Sequence, residues 1–234
     1  MPADRPIILA GGRLVPVLLQ RHARARGYKL RIDRGGAARL SMPARGSEKR
    51  ALAWAQGQAA WLAEQLDRVD SGACVLRDGA VFPLEGRSVT ICWLADAPRI
   101  VRHEGDVLRL GGPPNLAGER VLRWLKARAR ATLTTETLDL ATRHGLAVRS
   151  VGIGDPLSRW GSCTASGAIR YSWRLILAPP EVRIATVAHE LAHLRHLDHS
   201  PAFHAFHRAI CPADTVAARA WLRANGAMLH GVRA

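Results

Sequence analysis

The stretch VAHELAHLRHLDHSPAFH, from Val187 to His204, constrains the fold more than any other part of the chain. His189 and His193 stand four apart, and on a helix such a pair shares one face a single turn apart. Val182, Ile184, Ala185, Val187, Ala188, Leu191 and Leu194 supply apolar positions for a buried helix around them. Ala178-Pro179-Pro180 opens that helix, because proline is tolerated in a first turn and not in an interior. Asp198 favours a turn near Leu197, and Ser200-Pro201 reads as N-cap and first residue of the next helix. The segment therefore demands a buried helix, a bend and a second helix in immediate succession.

Two imidazoles one turn apart can reach a single zinc ion at about 2.0 to 2.1 Å. Glu190, beside the first of them, would not bind the ion. In an H-E-x-x-H arrangement its carboxylate points at the metal-bound water and takes its proton. The plain alternative is a core helix with two satisfied histidines. A catalytic zinc needs a third protein ligand and one open position. A downstream glutamate, the thermolysin solution, is excluded because Glu190 is the last glutamate. Asp198, Asp214, His196, His199, His204, His207 and His230 remain as donors. His196 would lie about 10.5 Å along the axis from His189, too far for easy convergence. His199 swings back toward the ion if the helix ends near Leu197. Its spacing from His193 equals that of the metzincin motif, although His196 stands where that motif has glycine.

The chain has 234 residues, enough to bury a core without metal or disulfide staples. Cys74, Cys92, Cys163 and Cys211 fall in no zinc-knuckle or disulfide spacing and read as reduced, mostly buried thiols. No run of eighteen apolar residues exists, so no membrane span and a cytoplasmic location are expected. Net charge is +15, and between Arg21 and Arg50 ten Arg or Lys face only Asp33 and Glu48. Such a surface attracts polyanions such as nucleic acid. A compositional arginine bias, with only Lys29, Lys49 and Lys126 as lysines, gives the same charge.

Short β-like pieces, RLVPVLLQ, YKLRID and ARLSMP, open the chain in an antiparallel arrangement, with Arg34 to Gly36 as a turn between the last two. Ser47 caps a helix to about Leu66, whose Trp54 and Trp61 are expected to pack in the core. A second β-rich region runs from Val75 to Leu110, with turns at Asp78-Gly79 and Glu104–Asp106. Gly111 to Asn115 breaks the pattern and sets the expected boundary, giving a basic β-rich module at 1–112 and a second domain at 113–234. A long helix runs from Leu116 to His144, with Arg120, Arg123, Lys126, Arg128 and Arg130 on its polar face. SRWGSC and AIRYSWRLIL then form a hairpin. No internal repeat stands out. The fold class is α+β.

RWGSC at 159–163, WRLILAPPEV at 173–182, HELAHL at 189–194 and HSPAF at 199–203 resemble the YgjP-like metallopeptidases, relatives of the SprT-like zinc proteases. The four blocks occur in the same order, and weaker similarity covers the N-terminal half. The resemblance implies a zincin-like catalytic domain, one zinc ion per chain at His189, His193 and His199, and Glu190 as the catalytic base. This chain has His204 where the family often has tryptophan. Cys163 has no base partner nearby in sequence and is not expected to be a nucleophile. Arg159 and Tyr171 are candidates for binding the oxyanion. The expected activity is zinc-dependent peptide hydrolysis on protein or peptide substrates, with a link to nucleic-acid-associated proteins. Two other readings remain: metal-dependent cleavage of a nucleoside triphosphate, and a nucleic-acid-binding module whose zinc is structural. Oligomeric state is not legible.

Overall fold

The computed structural model describes residues 6–32, 37–71 and 74–234, the side chains of 68–71 excepted. They fall into two units, 1–73 and 74–234, each with its own buried core.

In the first unit β1 (Ile7–Ala10), β2 (Arg13–His22), β3 (Lys29–Ile32) and β4 (Ala38–Pro43) form one sheet in the order β1-β2-β4-β3. Alternation in β4 buries Ala38, Leu40 and Met42, which pack with Ile8, Val15 and Val17 against α1 (Glu48–Gln56) and α2 (Ala59–Ser71). The strand β3 contributes only Leu30 to the buried set and takes the outer edge, so β4 returns between β3 and β2. That makes the β2–β4 pair parallel, against the antiparallel arrangement expected. The expected turn at Arg34 to Gly36 lies outside the described residues. Ser47 does cap α1, its hydroxyl accepting from the Arg50 N–H, but the helix breaks at Gly57 instead of running on to Leu66. Trp54 and Trp61 are not core groups: they are 37% and 39% exposed, and Trp54 leans on Tyr28 at 5.6 Å.

The second unit begins with β5 (Cys74–Val75) and a sheet of β6 (Val81–Leu84), β7 (Arg87–Trp93), β8 (Arg102–Glu104) and β9 (Val107–Leu110) in the order β6-β7-β9-β8. This repeats the first sheet: antiparallel, parallel and antiparallel pairs in the same sequence. Both open on a two-residue hairpin turn with positive φ at each position, Gly11-Gly12 and Glu85-Gly86. Both end on a helix with related letters, EKRALAW at 48–54 and ERVLRW at 119–124. The chain thus contains an internal repeat that the sequence analysis did not detect.

The core of the second sheet, Phe82, Leu84, Val89, Ile91, Leu108 and Leu110, is continuous with Val121, Leu125 and Ala129 of α3 (Ala117–Arg143) and with the remaining elements. The break in the structure therefore lies before Cys74, whereas the expectation put it at Gly111–Asn115. That glycine-proline stretch is a tight bend inside the unit, where a Cβ at Gly111 would overlap the Ala97 carbonyl. Arg120 reaches back from α3 to donate to the Gly111 carbonyl at 2.9 Å.

A second small sheet holds β10 (Ser150–Gly154), β11 (Gly161–Cys163) and β12 (Ala168–Ser172) in the order β10-β12-β11. The expected hairpin is present as β11–β12, but WRLIL continues as a 3-10 turn, capped by the Ser172 hydroxyl, and not as strand. Then come α4 (Pro180–Ala192), α5 (Pro201–Ile210), α6 (Thr215–Gly231) and β13 (Val232–Arg233), the last pairing in parallel with β5. Arg174, 3% exposed, donates to the carbonyls of Leu229 at 2.6 Å and Val232 at 2.7 Å and so holds the end of α6. No helix among the described residues is long and apolar enough to cross a membrane. The four cysteines are free and half-buried.

Candidate metal centre and active site

The helix α4 ends at Ala192, about a turn before the Leu197 expected, and His193 becomes its C-cap residue. The His193 Nδ1 lies 3.0 Å from the His196 carbonyl oxygen. A carbonyl only accepts, so Nδ1 carries the proton and the Nε2 lone pair is left for an ion. Ser200 caps α5 by accepting from the Phe203 N–H, and the intervening bend brings the His199 Nε2 to 3.2 Å from the His189 Nε2. Ligand nitrogens of His189, His193 and His199 all lie within 4.8 Å of one another. The Phe203 ring underlies all three imidazoles, at 5.0, 4.6 and 4.8 Å between centroids.

The other donors named from the sequence do not join this group. His196 gives its carbonyl to His193, and its ring meets Phe206 edge-on at 6.1 Å. Asp198 accepts from the Ser200 N–H, and Asp214 caps α6. His207 is buried with Nε2 at 3.2 Å from the Ala185 carbonyl, and its ring meets the edge of His189. His204 is half-buried, 6.2 Å from His199, and His230 stacks on Trp160 at 4.8 Å.

Glu190 is 4% exposed, and its Oε2 has no hydrogen-bond partner in the protein. Burial pushes its carboxyl up to about 7, an effect that the Arg159 guanidinium partly offsets. Burial, with help from the neighbouring imidazoles, pushes His189 down to about 3, and His199 is lowered in the same way. His189 and His199 are thus held toward the neutral form that can donate a lone pair to an ion. A 3.2 Å nitrogen separation is close to the edge, about 3.3 Å, of a tetrahedron with bonds of 2.0 to 2.1 Å. Three converging imidazoles, one set in its tautomer by a carbonyl, fit a divalent ion, and the residue after the first of them carries an orphaned carboxylate oxygen.

Comparison with protein-family models settles the relationship: the model of the YgjP-like metallopeptidase domain matches residues 26–225. The chain belongs to the YgjP-like family. Its activity class is therefore that of a metallopeptidase-type hydrolase. Comparison with curated proteins and with solved structures found no match.

Against the family background, Tyr171 is removed from the expected oxyanion donors. It is fully buried, and its hydroxyl is bound to the Thr137 hydroxyl at 3.1 Å. Arg159 is exposed and electrostatically coupled to Glu190. Burial and the charge of Glu190 push the Cys163 thiol up to about 11, which opposes thiolate chemistry. Sequence reasoning missed Arg183 of α4, 4% exposed, whose guanidinium is bound by Glu136 of α3 at 2.6 and 2.9 Å. A lone arginine among the apolar positions Val182, Ile184, Ala185 and Val187 was the available signal.

Proposed function

We propose that the chain is a zinc-dependent metallopeptidase in which His189, His193 and His199 hold one ion and Glu190 moves the proton. The observation that carries this reading is the buried Glu190 carboxylate, unpartnered at Oε2 and adjacent to the first of three converging imidazoles. A buried carboxylate without a partner costs several kcal/mol, and such groups cluster where proton transfer is needed. Zinc held there supplies Lewis-acid charge for a carbonyl and lowers the pKa of water toward neutrality.

Glu190 can accept a proton at the start of the reaction and return it to the leaving amine. Phe203 keeps the imidazoles in place and dry on their inner side. The strand β11 is the outer strand of its sheet. The Ser172 N–H bonds to the Trp160 carbonyl and the Thr164 N–H to the Ala168 carbonyl. By the alternation of an antiparallel ladder, Gly161 and Cys163 turn their N–H and C=O groups toward the open edge. An extended peptide pairs there, beside Glu190. Arg159 is the donor we assign to the oxyanion.

The substrate class is protein or peptide, and the exposed cations between Arg21 and Arg50 direct the chain toward nucleic-acid-associated proteins. In support of catalysis over a structural ion, the metal-competent cluster among the described residues is His189, His193 and His199, without His196 or Asp198. The test loads the protein with zinc, measures metal content, and assays fluorescein-labelled casein and nucleoside triphosphates in parallel. Wild type is expected to cleave casein, and Glu190→Gln to keep its zinc while losing roughly 10²-fold or more in rate. Turnover of nucleotide without casein would select phosphoanhydride hydrolysis instead. A zinc-loaded Glu190→Gln protein with undiminished casein cleavage would falsify the assigned role.

A further inference from the structure

The residue beneath the Glu190 carboxylate is Gly161. A Cβ built on Gly161 would stand 2.7 Å from both Cγ and Cδ of Glu190, with Oε1 nearer still. Carbon pairs rest at about 3.5 to 4.0 Å, so no side chain fits while Glu190 stays where it is. The backbone of Gly161 does not itself require glycine, since its φ lies outside the positive region. Only the neighbouring carboxylate does.

The backbones on both sides are tied, so relief would have to come from the Glu190 side chain moving off its place. On one side, β11 is pinned to β12 by the Ser172 and Thr164 N–H bonds, and Tyr171, the register partner of Gly161, is fixed by Thr137. On the other, α4 is tied to α3 by the Arg183–Glu136 pair. The carboxylate therefore lies in a notch one Cβ deep, between a hydrogen-bonded strand and a helix tied to α3.

We infer that Gly161 is a positioning residue for proton transfer: its missing side chain sets where the Glu190 carboxylate lies. This deepens the metallopeptidase reading and rests on it for the kinetic part alone. The strand that seats the carboxylate is also the strand whose open edge pairs a peptide. Gly161 therefore fixes the base relative to the substrate main chain, and glycine here ties base position to substrate register.

The test uses the full chain and the variants Gly161→Ala, Glu190→Asp, Glu190→Ala and the doubles of Gly161→Ala with each. In the kinetic arm, with zinc loaded and labelled casein as substrate, Gly161→Ala is expected to keep one zinc. It should lower kcat by about 30-fold or more with KM changed less than about 3-fold, inside the range for proton-transfer groups. Asp is one methylene shorter than Glu, so adding Gly161→Ala to Glu190→Asp should cost much less than adding it to wild type.

In the stability arm, read by melting temperature and independent of turnover, Gly161→Ala should lower the midpoint in the Glu190 background and be nearly neutral beside Glu190→Ala. If Gly161→Ala alone fails to fold, recovery of a folded protein by the added Glu190→Ala supports the notch. Equal destabilisation in both backgrounds, or no folding in either, overturns it. A full-rate Gly161→Ala enzyme overturns the positioning role even if the stability arm succeeds. Absence of casein cleavage by wild type, with the stability arm as expected, counts against the peptidase reading and leaves the notch standing.

Discussion

Burial, and after it the charge of Glu190, holds the Cys163 thiol up, while burial alone holds the Glu190 carboxyl up against Arg159. For Cys163 the expected consequence is inertness. Cys163→Ser should retain casein cleavage within about 3-fold, and the wild-type thiol should alkylate at pH 8 at least about ten-fold more slowly than free cysteine. A large loss on Cys163→Ser, with zinc retained, would reopen a thiol role. For Glu190 the consequence is a pH-dependent stability. Its folded value of about 7 lies above the unfolded 4.5, so its neutral form stabilises the fold below pH 4.5. That contribution is lost as pH rises through 7. Glu190→Gln, a permanent neutral analogue, should therefore gain on metal-free wild type by about 2 kcal/mol between pH 5 and 7.5, from about 1.4 kcal/mol per pKa unit. Melts of both metal-free proteins at the two pH values check this, and a difference that stays constant would contradict it. At this scale the imidazole ligands proposed here were legible because helical spacing and a bend narrow the donors. Gly161 was not, because the need for a missing Cβ exists only across two elements that are distant in sequence.

Elements with local punctuation were read well, and those set by partners were not. Pro180 opens α4, Gly145 with φ of 60° follows the end of α3, and Ser200-Pro201 starts α5, each signal acting within a turn of its own residue. WRLIL was read as strand because its residues are apolar and branched, yet the Ser172 hydroxyl diverts the backbone into a 3-10 turn. The parallel β2–β4 pair depends on which strand takes the sheet edge, a choice no single strand encodes. What holds α4 in place was also illegible, since Glu136 and Arg183 are far apart in sequence. Arg183 is 5% exposed at its side chain and Glu136 21%, so removing one partner strands a desolvated charge. Arg183→Met should lower stability by about 3 to 5 kcal/mol, whereas the double change Arg183→Met with Glu136→Leu should recover much of that. Denaturant unfolding of the three proteins decides it. A double variant no better than Arg183→Met alone would show that the pair does more than neutralise its own burial.

For the molecule as a whole, the repeated four-stranded sheet explains why the structural break differs from the expected boundary: two sheets alike in sequence pattern look like one β-rich module, although the second shares its core with α4. Charge is distributed differently from fold. Residues 1–73 hold 13 Lys or Arg and 6 Asp or Glu, a net +7 of the total +15 in under a third of the length. Arg24, Arg26, Lys29 and Arg31 lie exposed along the loop after β2 and on β3. Clustered cations release counterions from a nucleic acid, so the affinity should fall steeply with salt, with a slope near −0.9 for each phosphate engaged on duplex DNA. An arginine-biased composition predicts only a weak, evenly distributed attraction. Fluorescence anisotropy with a labelled duplex at 50 and 200 mM salt separates the two. We expect at least a roughly 10²-fold loss over that range, and a slope reduced by about one for each of the four cations replaced by Gln. Replacing Arg123 and Arg130, exposed on α3, is the matched control and should leave the slope nearly unchanged. If α3 cations prove as costly to remove as those of the first unit, the charge is a property of composition and the proposed link to nucleic-acid-associated substrates loses its basis, with the chemistry at Glu190 untouched.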